Sequence, residues 1–210
     1  MIIINRQTIV AVLILMVVMS ACEPKEPPLK QLLPNPGSQS NAPDKIIRAV
    51  LDKSPLDMIY YPEDYPIRRM SGSSDSTPIA RVIYSRPEKD GRVIFGNVVK
   101  YGEPWRLGAN EATEIEFFIE VMIQKKKIKK GRYVLYCIPS VDTWKIILNK
   151  DLYIWGLKIP AAYDEYSFDI PVVHSHDIFE VFTIEFKPDS MGMQLGMAWD
   201  NVKAELPISY

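Results

Sequence analysis

The ten residues 114–123 read EIEFFIEVMI, and this stretch decides the fold class. Every odd-numbered position in it is apolar: Ile115, Phe117, Ile119, Val121 and Ile123. Glutamates occupy positions 114, 116 and 120, on the opposite parity. Since successive side chains of a strand point to opposite faces of a sheet, this period of two predicts a half-buried antiparallel strand.

Further strands are predicted on both sides of this stretch. They cover residues 80–84, 92–95, 133–138, 144–148, 178–186 and 193–199. After Trp199 the apolar positions change from odd to even numbers, which indicates either a hairpin turn at Asp200-Asn201 or a β-bulge. Short strands without a convincing helical pattern predict an all-β single domain, an antiparallel β-sandwich or jelly roll. A parallel α/β fold is excluded because crossover helices are missing.

The N-terminus is predicted to be a lipoprotein signal peptide, residues 1–21. An apolar run of eleven residues extends from Ile9 to Met19, whereas a transmembrane helix needs roughly 20. The tetrad Met19-Ser20-Ala21-Cys22 resembles a bacterial lipobox. We therefore expect lipid on Cys22, membrane attachment through that lipid, and a location in the cell envelope on the outer membrane. A short uncleaved anchor and an ordinary secretory signal are the alternatives.

Residues 22–55 are predicted to be a proline-rich tether between the lipid and the folded domain, residues 56–210. Six of the 17 prolines lie between positions 23 and 45. Proline fixes φ and removes a backbone donor, so an extended, partly polyproline II spacer is expected. Residues 46–53 could form one or two helical turns before Pro55.

Residues 84–113 contain a long motif, YSRPEKDGRVIFGNVVKYGEPWRLGANEAT. Its three blocks, YSRP at 84–87, GRVIFG at 91–96 and YGEPWRLGANEAT at 101–113, resemble the signature of the family called domain of unknown function 2911 (DUF2911). Its members are mostly exported proteins of Bacteroidetes-like bacteria. The resemblance spans roughly residues 56–210. It implies an all-β fold and carries no established activity.

Polar and aromatic side chains gather in this motif among turn glycines. Six of them are candidate ligand-binding residues: Tyr84, Arg86, Trp105, Arg106, Asn110 and Glu111. A guanidinium suits a carboxylate or phosphate, and a tryptophan face can stack on a sugar ring. A structural explanation is also open, because arginine can pair with glutamate, tryptophan can lie in the core and asparagine can cap a turn.

The remaining reactive residues predict no metal site and no cofactor. His174 and His176 would share one face of a strand, and Asp177 follows them, but two histidines do not complete a metal site. The basic run from Lys125 to Arg132 predicts a solvated hairpin tip. With Cys22 lipidated, Cys137 is the remaining cysteine and is expected to be an inert thiol in a strand.

These observations favour a noncatalytic binding or accessory module for a saccharide or an anionic small molecule. One alternative is an envelope hydrolase with Glu111 as general base, and another is a structural or partner-docking module. The net charge of −1 gives no overall field that would attract nucleic acid.

Overall fold

The computed structural model describes residues 52–72 and 77–210. The predicted signal peptide, Cys22 and nearly all of the predicted tether lie outside the described residues, as does most of the short helix expected from residue 46. Within the described residues, no helix is both long enough and apolar enough to span a bilayer.

The described chain is built almost entirely from strands. In chain order the elements are β1 Leu56–Tyr61, α1 Tyr65–Met70, β2 Ala80–Ser85, β3 Glu114–Phe117, β4 Val121–Ile123, β5 Lys126–Ile128, β6 Gly131–Pro139, β7 Thr143–Asn149, a 3-10 turn Ala161–Tyr163, β8 Asp164–Asp189 and β9 Gly192–Ser209. The sequence patterns predicted neither the short helix α1 nor the 3-10 turn.

All strand pairings are antiparallel, and the nine strands follow a single order, β1-β2-β3-β6-β7-β8-β9-β4-β5. The long strand β8 makes this order continuous, because its first part pairs with β7 and its last part pairs with β9. The predicted all-β, antiparallel single domain is confirmed. Its strands form one sheet rather than two separately paired ones.

Alternating positions of the strands fill a large hydrophobic core, and a smaller second cluster of buried residues includes Val134 of β6. Ile115 and Phe117 are each 1% exposed. Ile119 is 37% exposed, so its predicted place on the same buried face is wrong. The stretch is two strands, because β3 pairs with β2 and β6 whereas β4 pairs with β5 and β9. Residues 118–120 carry the chain from one set of partners to the other.

Backbone conformation shows why the apolar positions change parity after Trp199. β9 runs without interruption through Asp200, whose φ is 53°, and the β8–β9 register shifts on both sides of the pairing of Phe179 with Asp200. The parity change is therefore a bulge and not a hairpin turn. The true turn is the two-residue loop that follows Asp189, which pairs directly with Gly192.

The strand predicted at residues 92–95 is absent from this part of the described chain. Gly91 and Gly96 have φ values of 69° and 88°, and such a backbone ends an extended segment. Only an isolated bridge joins Phe95 to Val99. His174 and His176 belong to β8.

Candidate functional site

The motif forms the long connection between β2 and β3, residues 86–113, which we call the motif loop. It borders a cavity of about 390 Å³. The other walls come from Ser54, from Trp199 of β9, and from Gly156 and Leu157. The last two belong to residues 150–163, which we call the β7–β8 loop.

Aromatic rings form the inner wall of the cavity. Trp105 is 9% exposed and Trp199 is 2% exposed, and their rings stack with centroids 5.8 Å apart at 20°. Phe182 packs on Trp105 with ring centroids 5.0 Å apart. The backbone N–H of Trp105 donates to the carbonyl of Cys137 at 2.7 Å, which fixes the motif loop against β6. Trp105 is therefore both a core residue and part of the cavity wall.

Arg106 follows on the same loop and lines the cavity. Its Nε is buried and has no hydrogen-bond partner among the described residues. Its guanidinium makes no ion pair within the described part of the chain. Burial lowers the pKa of Arg106, because taking the cation out of water disfavours the charged form. The side chain is thus a partly desolvated positive charge without a counterion in the part of the chain that the structure describes.

Gly156 of the β7–β8 loop sets the position of this arginine. A Cβ atom on Gly156 would lie 2.8 Å from Cδ and 2.9 Å from Cβ of Arg106. Gly156 also has a φ of 82°, which favours glycine. The glycine lets the loop backbone press directly against the aliphatic part of the Arg106 side chain.

Arg92 supplies a second guanidinium to the cavity lining. Its Nε donates to the carbonyl of Lys89 at 2.9 Å, and its Nη2 donates to the carbonyl of Glu88. Neutral carbonyls hold the side chain without cancelling its charge. Among the described residues, no aspartate or glutamate lines the cavity. The cavity therefore has a net positive lining.

Two of the predicted site residues serve the fold elsewhere. Tyr84 is 1% exposed, and its hydroxyl donates to the carbonyl of Ile184 at 3.0 Å. Burial raises the pKa of Tyr84, so the phenol stays neutral. Arg86 pairs with Asp57 at 3.1 Å and donates to Thr183 Oγ1 at 3.2 Å. Neither Tyr84 nor Arg86 lines the cavity.

Asn110 and Glu111 also lie outside the cavity lining. The amide of Asn110 donates to Asp52 Oδ2 at 2.6 Å and tethers the segment before β1. Glu111 is exposed. The hydrolase hypothesis requires this carboxylate inside a cleft, and its position does not meet that requirement. Of the six candidates, the structure brings Trp105 and Arg106 to the cavity.

Residues 66–208, more than half of the chain, match the family model described as "Protein of unknown function (DUF2911)". The protein belongs to the DUF2911 family. Comparison with curated proteins and comparison with solved structures gave no significant match. The family match includes Arg92, Trp105, Arg106 and Trp199, so the positive and aromatic walls of the cavity belong to the DUF2911 domain.

Several cavity residues of this DUF2911 protein are not among the six predicted ones. Arg92 lies in the GRVIFG block, and the sequence shows its charge but does not show that its side chain lines the cavity. Trp199 follows the apolar parity of β9 and is therefore typical of a core residue. Gly156 and Leu157 reach the cavity from more than forty positions further along the chain, and no local pattern signals that contact.

The other reactive groups of the DUF2911 domain stand apart from the cavity. His174 Nε2 lies 3.2 Å from the carbonyl of Val141. The described residues hold no group of three or more histidine, cysteine, aspartate or glutamate side chains that could bind a metal. Cys137 is fully buried in β6, and burial raises the pKa of its thiol, so the thiolate does not form at neutral pH.

Proposed function

We propose that this DUF2911 protein is a noncatalytic binding module that holds an anionic small molecule, such as an acidic saccharide, in the motif-loop cavity. The observation that carries the proposal is the pair of guanidiniums at that cavity, Arg92 and Arg106. Neither has a carboxylate partner among the described residues.

The electrostatics favour an anionic ligand. Arg106 is partly buried without a carboxylate partner among the described residues, and the cost of this burial is recovered when a carboxylate or phosphate enters and accepts charge-assisted hydrogen bonds. Arg92 is exposed and adds positive charge to the same lining. Arginine is suited to this role because its planar fork matches both anions. The volume of about 390 Å³ lies within the usual range of small-molecule sites. Trp105 and Trp199 give the cavity an aromatic inner wall that the apolar part of a ligand can contact.

We also propose that the module works at the cell envelope, attached through a lipid on Cys22. The lipobox-like tetrad before Cys22 and the proline-rich stretch after it support this part of the proposal. Three acyl chains would exceed the two anchoring signals that stable membrane attachment needs. The tether would keep the binding domain at a distance from the bilayer.

Calorimetric titration with sodium phosphate, sodium glucuronate and glucose tests the proposal. Phosphate and glucuronate should bind saturably, while glucose, which is neutral, should bind at least about tenfold more weakly. R106Q should weaken anion binding about tenfold or more, since one charge-assisted hydrogen bond contributes roughly 1.5–3 kcal/mol.

R68Q is the matched control, because the substitution removes the same charge and Arg68 lies on α1, outside the cavity lining. It should bind both anions as the wild type does. If neither anion binds, or if R68Q and R106Q weaken binding equally, the cavity is not an anion site. The arginines of the motif would then serve the fold alone.

A further inference from the structure

The rim of the motif-loop cavity is apolar although its lining is positive. Val98 of the motif loop and Leu157 of the β7–β8 loop both line the cavity. Val98 is 44% exposed and Leu157 is 78% exposed. Each therefore presents aliphatic surface to solvent beside the cavity.

The same two loops carry further exposed apolar side chains. Val93 of the motif loop is 61% exposed, and on the β7–β8 loop Trp155 is 53% exposed and Tyr153 is 82% exposed. Single exposed apolar side chains are common and need no explanation. Val98 and Leu157 differ from the other exposed apolar residues of these loops because they line the positive cavity itself, and apolar surface beside a binding cavity is typical of a ligand site.

Direct contacts fix the position of Leu157 relative to the partly buried guanidinium of Arg106. Leu157 follows Gly156, whose backbone packs against the side chain of Arg106. The base of the β7–β8 loop is held by Asn149, which donates to the carbonyl of Pro160 at 2.9 Å and to Asp164 at 2.7 Å. Leu157 therefore lies close to the Arg106 side chain within the same cavity lining.

We propose that the ligand is an amphiphilic anion, with an anionic head group at Arg92 and Arg106 and an aliphatic chain lying across Val98 and Leu157. This proposal rests on the proposed function, because it assumes that the cavity binds an anion, and it adds the chemical class of the remainder of the ligand. A membrane lipid and a soluble alkyl phosphate share this chemistry.

Three probes test the proposal by calorimetry: sodium phosphate, octyl phosphate below its micelle concentration, and octyl glucoside. Octyl phosphate should bind at least about tenfold more tightly than phosphate, since burial of two methylene groups is enough for such a gain. Octyl glucoside should bind far more weakly than octyl phosphate, because it lacks the anionic head.

The variants L157S and V98S should each weaken the binding of octyl phosphate by a larger factor than the binding of phosphate, and so remove a large part of the advantage of octyl phosphate. Both side chains are exposed, so the substitutions should leave the fold intact. I67S is the matched control, because Ile67 is 65% exposed on α1 and does not line the cavity. It should bind all three probes as the wild type does.

The outcomes separate the two proposals. If phosphate binds but octyl phosphate binds no more tightly, or if L157S and I67S behave alike, the amphiphile proposal is overturned while the anion site stands. If neither anion binds, the proposed function itself fails. If octyl phosphate binds, sedimentation with phosphatidylcholine vesicles that contain phosphatidic acid distinguishes a membrane lipid from a soluble alkyl phosphate as the ligand. Capture that octyl phosphate releases supports a membrane lipid, and octyl phosphate binding without capture supports a soluble amphiphile.

Discussion

Arg106 begins a short segment in which the backbone is forced into uncommon conformations. Leu107 is fully buried with a φ of 53°, and Gly108 has a φ of 148°. A left-handed leucine costs roughly 1–2 kcal/mol, so surrounding contacts must hold it. Thr113 supplies one of them, because its hydroxyl donates to the carbonyl of Leu107 at 2.5 Å. This conformation sets the direction in which Arg106 leaves the loop.

Replacement of Gly156 by alanine should displace the Arg106 side chain without changing any charge. The new methyl group would lie 2.8 Å from Cδ of Arg106 and 3.0 Å from Cβ of Ala112, and the φ of 82° disfavours alanine. We expect a loss of about 2–4 kcal/mol in the free energy of unfolding. Phosphate affinity should fall as well, which calorimetry on the folded variant measures.

G72A separates steric overlap from backbone strain. Gly72 has a φ of 81°, nearly the same as Gly156, but a Cβ there would meet none of the described residues within 4 Å. It should lose only about 1 kcal/mol and should bind phosphate normally. Equal effects of the two substitutions on stability and binding would mean that the contact with Arg106 has no role in placing the guanidinium.

The β7–β8 loop is an irregular element held by a buried polar cluster at its base. Asn149 is fully buried, and it donates to Asp164 while accepting the N–H of Asp151 at 2.8 Å. The hydroxyl of Tyr136 donates to the same Asp164 carboxylate at 2.9 Å. Burial, together with the hydrogen bond to Asp164, raises the pKa of Tyr136. The cluster closes the loop and so holds Gly156 and Leu157 at the cavity.

N149A should loosen this loop and destabilise the domain. It removes a buried donor and acceptor, and it leaves the carbonyl of Pro160 without its partner, so we expect a loss of about 2–3 kcal/mol. Trypsin should cleave after Lys158 faster than in the wild type. The exposed Asn201 provides the control, since N201A should stay within about 0.5 kcal/mol of the wild type. Unchanged cleavage in N149A would show that other contacts hold the loop.

The strands that pair along their whole length were predictable from the sequence, because one alternating pattern serves one set of neighbours. Residues 133–138 and 144–148 lie within β6 and β7. Residues 114–123 were misread as one strand because the chain changes partners within the pattern, and periodicity does not report partners. The same limit applies to the cavity. Arg106 lies in a local motif and was predicted, whereas Gly156 contacts it only in the folded structure, which a local pattern does not show.

On the scale of the whole molecule, the first strand is fastened to the last part of the sheet by Tyr61. Its hydroxyl donates to the carbonyl of Gly192 at 3.1 Å, and its ring packs on Phe186 with centroids 5.8 Å apart. Burial, together with the hydrogen bond to Tyr210, raises the pKa of Tyr61 to about 12. In the unfolded chain a tyrosine ionises near pH 10.

Stability should therefore fall as the pH rises above about 10. The unfolded state releases the Tyr61 proton first, so the contribution of Tyr61 is full below the unfolded pKa and is lost as the pH approaches 12. Urea unfolding at several alkaline pH values should show Y61F losing about 2 kcal/mol less than the wild type over this range. An equal pH dependence in the two proteins would contradict this assignment.

The proposed lipid attachment concerns the whole molecule as well, because it would place the domain at a membrane. Labelled palmitate supplied to bacteria that express the full chain should enter the wild-type protein and should not enter C22S. Thioether-linked lipid on Cys22 is the physical reason, since the serine variant lacks the thiol that accepts it. Label in C22S equal to that in the wild type would place the acyl group elsewhere or show that none is specific.

The central claim is that Arg92 and Arg106, which have no carboxylate partner among the described residues, make the motif-loop cavity an anion site. Its most direct test is a calorimetric titration of sodium phosphate into the wild type and into the double variant R92Q/R106Q, with folding checked by thermal unfolding. The wild type should give saturable heat and a raised Tm, and the folded double variant should give neither. Equal heats in the two proteins, or no heat in the wild type, would contradict the claim.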